Sequence, residues 1–197
     1  MDMLAESRVA SGSIVTHPLD PEDARIAAAM REAVAPVKGK GFSRGAESRS
    51  QFNAVMASVA PCDGVDVETD LVGGVPGVWV LPSNALPGQA IIHLHGGWFN
   101  FGSAGAFVNL VGHIASRAGA RAFIPDYRLA PEHPFPAAVE DALACYRGLR
   151  EQVVERVALS GDSAGGNLAL VLASRIALKW MAHTRPWRTH PQENHNA

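Results

Sequence analysis

The rhythm of apolar and polar residues changes along this chain, and the changes divide it into parts. From Val65 to Thr69 the two kinds alternate, V-D-V-E-T, as a half-buried strand requires. Gly73–Gly77 then reads as a turn, and Val78–Leu81 as a second, antiparallel strand. Beyond it the strands become short and mostly apolar: Ala90–His95, Ala122–Pro125 and Val157–Ser160. Helical patterns lie between and after them. One carries Phe107, Leu110, Val111 and Ile114, and the next, over Pro136–Leu149, carries Val139, Leu143 and Tyr146. The last carries Leu168, Val171 and Leu172. Apolar strands alternating with amphipathic helices predict βαβ units, hence an α/β fold with a mostly parallel sheet flanked by helices.

Upstream, Asp20-Pro21-Glu22-Asp23 is a helix start, with an acid to cap it, proline at its first position and further acid in its first turn. Ile26, Met30 and Val34 share one face before Pro36 ends the run. Residues 1–16 show no period and are expected to fray. Lys38–Ser50, rich in Gly, Ser and Arg, reads as a loop. From Trp180 the period is lost again, in a stretch holding two of the four tryptophans and three of the eight histidines. The expected division is a helical segment and loop over 1–60, a core over 61–179, and a disordered tail over 180–197.

Composition narrows the classes. A chain of 197 residues suits one domain with a real core. A net charge of −2 gives no electrostatic case for nucleic acid or an anionic membrane surface. No apolar run approaches the roughly 18–20 residues of a spanning helix, and M-D-M-L-A-E-S-R lacks the apolar centre of a secretory signal. Cys62 and Cys145 lie far apart with no C-x-x-C spacing. They read as reduced structural thiols of a cytoplasmic protein.

The chemistry gathers after two of the apolar strands. Gly161-Asp162-Ser163-Ala164-Gly165 is a G-x-S-x-G between a strand and a helix, where a sharp turn lifts a serine hydroxyl clear of the sheet. His95-Gly96-Gly97-Trp98 follows the strand at 90–95. Backbone N–H groups of Gly96 and Gly97, with that of Ala164 beside the serine, are candidate donors to a tetrahedral oxyanion. His93 and His95 can share a face, but no carboxylate stands at a spacing that would complete a metal site, and His93 reads as a packed core histidine.

H-G-G-W at 95–98, D-Y-R-L-A-P-E-H-P-F-P-A-A at 126–138 and G-D-S-A-G-G at 161–166 together resemble the hormone-sensitive-lipase-like branch of the α/β-hydrolases, microbial carboxylesterases and their relatives. The resemblance runs from about Val65 to Ile176. It implies a partial α/β-hydrolase fold with an N-terminal helical cap, Ser163 as nucleophile, and Gly96, Gly97 and Ala164 as the oxyanion hole. It implies hydrolysis of a small or medium acyl ester, or of a lactone, with no cofactor or metal. Asp126, Arg128, Glu132 and His133 read as a supporting ion-pair network, and His95 as a loop anchor.

Two departures from the family pattern stand out. Trp98 occupies the place of a third glycine; a tryptophan takes positive φ at a cost, and its indole is expected to wall the acyl pocket. In this fold the triad runs Ser, then Asp or Glu, then His, each after a later strand. After Ser163 the chain offers Glu193, His183, His190 and His195 without a strand to carry them, so the acid and base are expected to lie outside it. The alternatives are a ligand-binding protein without turnover and an inactive product. An apolar edge at Val157–Ser160 is expected to favour self-association.

Overall fold

The computed structural model describes residues 20–34, 45–152 and 154–184, and they fall into two compact units divided after Phe42. The first holds helix α1, Pro21–Val34. Asp20 caps it as expected, its carboxylate accepting the Glu22 N–H at 2.9 Å and its carbonyl the Ala24 N–H at 2.8 Å. The frayed start expected over 1–16 lies outside the described residues.

The second unit is a five-stranded sheet with helices on both faces. Its strands are β1 (Val65–Val72), β2 (Val75–Pro82), β3 (Gln89–Leu94), β4 (Arg121–Pro125) and β5 (Arg156–Gly161). The spatial order is β1-β2-β4-β3-β5. β1 and β2 form a hairpin whose turn is Gly73-Gly74 alone, at φ 61° and 79°. Positive φ at both central residues suits the twist of the strands, so Val75–Gly77 join β2 instead of the longer turn expected. β2 pairs antiparallel with β4, while β3 pairs parallel with both β4 and β5. The sheet is thus mixed, parallel wherever a helix makes the connection.

Among the described residues this unit holds four helices: α2 (Arg49–Ala57), entered through a 3-10 turn at Ala46–Ser48, α3 (Ala104–Ala118), α4 (Ala137–Glu151) and α5 (Ser163–Thr184). β4 lies on one side of β3 and β5 on the other, so right-handed crossovers send α3 and α4 to opposite faces. Val80, Ile91, Ile124, Phe107 and Val111 pack with α3 on one face. Ile92, Leu94, Phe123, Leu149, Leu168 and Leu172 pack with α4 and α5 on the other. Each such side chain contributes about 1.5–3 kcal/mol when fully buried. β3, covered on both faces, is buried from Ala90 to Leu94.

Two helices differ from the expectation. α2 begins at Arg49, at the end of the run read as a loop, because tertiary contacts hold it. Asn109 Nδ2 donates to the carbonyls of Ala57 and Val59 at 3.2 and 2.7 Å, and His113 Nε2 to that of Ala60 at 2.9 Å. Free carbonyls at the helix end are thereby satisfied. α5 runs to Thr184, so Trp180–Thr184 continue a helix where a tail was expected; residues 185–197 lie outside the described ones. No helix among the described residues is long and apolar enough to cross a membrane.

Glycines decide how closely α5 approaches the sheet. A Cβ on Gly165 would overlap the carbonyls of Leu94 and His95 in β3 and the loop after it, while one on Gly105 of α3 would meet nothing. Gly165→Ala should cost roughly 3 kcal/mol by forcing α5 off β3, whereas Gly105→Ala should stabilise by about 0.5 kcal/mol. Urea unfolding midpoints check both, and equal midpoints would show that α5 is not pressed on β3.

Candidate active site

The carboxyl ends of β3 and β5 are neighbours, with His93 opposite Ser160 and Leu94 opposite Gly161. From β3 the chain crosses to β4 on one side, and from β4 it crosses back to β5 on the other. Such a reversal leaves a crevice beyond the strand ends, the place where open α/β sheets bind ligands. The two glycine-containing motifs meet there.

Ser163 begins α5 directly after β5 with φ 48°, a left-handed conformation that costs a non-glycine residue on the order of 1–3 kcal/mol. The strain is the mark of a sharp strand-to-helix turn that holds a side chain out of the sheet, and Ser163 is exposed. Gly161 and Gly165 permit the turn, since a Cβ on Gly161 would press on the Gly165 carbonyl. The N–H of Ala164 lies in the first turn of α5, where a helix has no acceptor of its own.

Across the crevice the loop after β3 turns back through three left-handed residues: Gly97 at φ 123°, Trp98 at 52° and Phe99 at 62°. Its turn is closed by Asn100 and Phe101 N–H donating to the Gly97 carbonyl at 2.9 and 2.8 Å. Asp162 Oδ1 ties the two motifs together by accepting the Gly96 N–H at 2.8 Å. That bond revises the donor set, because a Gly96 amide committed to Asp162 is not free for an oxyanion. The Gly97 N–H has no acceptor among the described residues. Burial works against ionising Asp162, but the His93 ring and the Gly96 N–H outweigh it and hold the carboxyl below its ordinary value.

Support for this loop comes from several elements. His95 is wholly buried, donates from Nδ1 to the Gly96 carbonyl at 2.9 Å, and stacks on Tyr127 with ring centroids 4.3 Å apart. Burial pushes its pKa down, so it stays a neutral anchor. The Tyr127 hydroxyl donates to the His95 carbonyl at 2.6 Å. Asp126 accepts the Ala104 N–H at the start of α3 at 2.6 Å. Arg128 forks onto Asp141, with Nη2 2.8 Å from Oδ1, and reaches Glu140 at 3.1 Å.

Glu132 pairs with Arg49, a residue that the sequence pattern left inside a loop. The guanidinium donates to Glu132 at 2.9 and 2.7 Å, to the Ala130 carbonyl at 2.9 Å and to the Asn100 carbonyl at 2.7 Å. One side chain therefore clamps the glycine loop to the segment after β4. An arginine in a Gly-, Ser- and Arg-rich run carries no local sign of that role.

Trp98 is 63% exposed and stands outside the core, with its ring edge-on to Phe52 and Phe101 at 6.3 and 6.1 Å. It is not part of the lining of an apolar cavity of about 290 Å³ nearby, which includes Phe99, His133, Phe135, Asn167, Leu168 and Val171. Among the described residues no histidine hydrogen-bonds the Ser163 hydroxyl. Glu193, His190 and His195 lie outside those residues, as does the side chain of His183.

Comparison with known proteins agrees with this fold. Residues 91–189 match a family model described as alpha/beta hydrolase fold. An acetyl-hydrolase of Streptomyces hygroscopicus is 45% identical over 101 residues, half of this chain and 33% of that protein. An ethyl acetate hydrolase of Pseudomonas putida is 41% identical over 99 residues, 47% of this chain and 31% of that one. The crystal structure of an esterase from the bacterial hormone-sensitive lipase family superposes with a TM-score of 0.68 at 36% identity, covering 86% of this chain and 55% of the other. The chain thus spans about a third of the length of these curated relatives and about half of the solved structure.

The Arg49 clamp should be readable by titration. Its hydrogen bonds hold the Glu132 carboxyl down at about 2. A depressed carboxyl contributes stability that is fully present above its unfolded value, about 4.3, and is lost as pH falls toward the folded one. Carbon NMR of Glu132 should show its midpoint returning to the ordinary carboxylate range in Arg49→Met. The stability gap between the native chain and Glu132→Gln should close between about pH 4.3 and 2.

Proposed function

Because this chain belongs to the hormone-sensitive-lipase-like branch of the α/β hydrolase fold family, we propose that it carries the nucleophile and oxyanion hole of a serine carboxylic ester hydrolase. The observation that carries the reading is the left-handed Ser163 at the β5–α5 turn, tied through Asp162 to the glycine loop beyond β3.

In this reading Ser163 Oγ attacks the acyl carbon of an ester. The oxyanion receives the N–H groups of Gly97 and Ala164, which are directed at charge that develops only in the transition state. Collapse breaks the bond to the alcohol oxygen, the alcohol departs with the serine proton, and water then releases the acid from the acyl-serine. Gly96 is kept out of the donor set by its bond to Asp162. The proton needs a base, and the acid and histidine of the triad are supplied from outside the described residues. Neither cofactor nor metal enters the scheme.

The substrate is a small or medium acyl ester or a lactone, in keeping with the acetyl-hydrolase and ethyl acetate hydrolase names of two relatives. The apolar cavity shares Phe99 with the glycine loop and Asn167 with the first turns of α5. It is the proposed place for the apolar part of the ester. The cellular compartment proposed is the cytoplasm. A second reading, ligand binding without turnover, draws on the same cavity and on the absence of a histidine at Ser163 among the described residues.

A fluorophosphonate probe followed by peptide mass spectrometry tests the nucleophile: the adduct should fall on Ser163 and vanish in Ser163→Ala. Hydrolysis of p-nitrophenyl butyrate by this chain should remain near the 10³–10⁴ over water that an oxyanion hole and binding supply, roughly 10⁶ below a complete triad. Ordinary esterase rates would show that a base of this chain, outside the described residues, does reach Ser163, and would overturn the expectation of near-background turnover.

The open edge of the sheet supports a reading of self-association. β5 pairs with β3 on one side and with no strand on the other among the described residues, and none of its six residues is fully buried. An open strand edge is a template for another chain, so light scattering should detect species larger than a monomer. A monodisperse monomer at all concentrations would refute this.

A further inference from the structure

His93 is buried to 1% exposure, as a core histidine should be, yet its ring does not face apolar atoms alone. It lies opposite Ser160 in the β3–β5 register, and the period of two along β5 sends Ser160 and Asp162 to the same face. His93 Nδ1 is 3.1 Å from Ser160 Oγ. His93 Nε2 is 3.6 Å from Asp162 Oδ1 and has no closer hydrogen-bond partner among the described residues. That Oδ1 is the atom that accepts the Gly96 N–H.

The donors can be assigned. An ionised carboxylate only accepts, so the ring proton belongs on Nε2, and Nδ1 then accepts the proton of the Ser160 hydroxyl. At 3.6 Å the Nε2–Asp162 contact is long for a hydrogen bond. It acts as a dipole whose positive end, on the buried ring, faces the partly exposed carboxylate. The remaining surroundings do not compete for Nε2. α3 presents the Phe107 ring at 6.2 Å. His95, two residues along β3, is engaged with the Gly96 carbonyl and Tyr127. Asp126 is engaged with Ala104.

We propose that His93 is a positioning residue for the oxyanion hole: Ser160 orients its ring, Nε2–H steadies Asp162, and Asp162 keeps the Gly96 amide so that Gly97 N–H points to Ser163. His93 does not touch substrate. The catalytic meaning rests on the hydrolase reading of Gly97, but the chain of contacts from Ser160 to Gly96 can be measured without it.

The test is NMR of the full chain. Ring ¹⁵N spectra should show His93 as the Nε2–H tautomer with Nδ1 accepting a hydrogen bond. In His93→Phe, which keeps a planar ring, the Asp162 carboxyl should titrate higher, and hydrogen-exchange protection of the Gly96 amide should fall by at least about tenfold, the scale of one weakened charged hydrogen bond. His93→Gln, whose side-chain amide can donate from the same place as Nε2, should recover most of both. An Nδ1–H tautomer, or unchanged Asp162 titration and Gly96 protection in His93→Phe, would overturn the proposal. Should His93→Phe fail to fold, Ser160→Ala removes a hydroxyl alone. It should leave Nδ1 without its hydrogen bond while the proton stays on Nε2 facing Asp162, and it should lower Gly96 amide protection; unchanged Gly96 protection there would overturn the proposal equally. Either failure leaves fluorophosphonate labelling of Ser163 unaffected, so the two readings fall separately.

Discussion

A single charge-assisted hydrogen bond, from the Gly96 N–H to the Asp162 carboxylate, joins the two halves of this site. Each half is a strained turn that a free peptide would not hold. On one side Ser163 sits at positive φ, and on the other Gly97, Trp98 and Phe99 follow one another through the left-handed region. Strain of this kind persists where the surroundings over-determine it. The Asp162 bond supplies part of that constraint by coupling the Ser163 turn to the glycine loop across two adjacent strands. The bond also has a chemical consequence: the Gly96 amide is engaged in structure, so in the proposed reaction the donors to an oxyanion are Gly97 and Ala164.

The rest of the constraint arrives from a distance. α3 receives Asp126 at its N-terminus, α4 supplies Asp141 and Glu140 to Arg128, and α2 supplies Arg49. The loop after β4 therefore braces the glycine loop against three helices instead of forming a closed network of its own. Arg49 and Glu132 are partly exposed, and an exposed ion pair is worth little to global stability. Its effect is local: the same guanidinium holds the Ala130 and Asn100 carbonyls, so it fixes where one loop stands relative to another.

The order of residues along the chain settled much of this. Period-two alternation, short apolar strands and amphipathic helices specified an α/β sheet, because burial on one face or two leaves its own spacing in the pattern. Asp20 and Pro21 announced α1, since capping is local chemistry. The G-D-S-A-G-G and H-G-G-W runs marked the strained Ser163 turn and the loop opposite it, because the glycines they contain are needed where backbones nearly touch.

Tertiary structure decided what depends on partners far apart in sequence. Whether Gly96 N–H is a free donor hinges on Asp162, which only the β3–β5 register brings beside it. The carboxylate near His93 was invisible for the same reason, as it lies just past the end of another strand. α2 and its Arg49 clamp could not be read from a Gly- and Ser-rich run whose propensity favours a loop, since the contacts that hold the helix come from Asn109 and His113 of α3. Local spacing records burial and turns, which are properties of neighbours in the chain; the hydrogen bonds that aim the site are properties of neighbours in space.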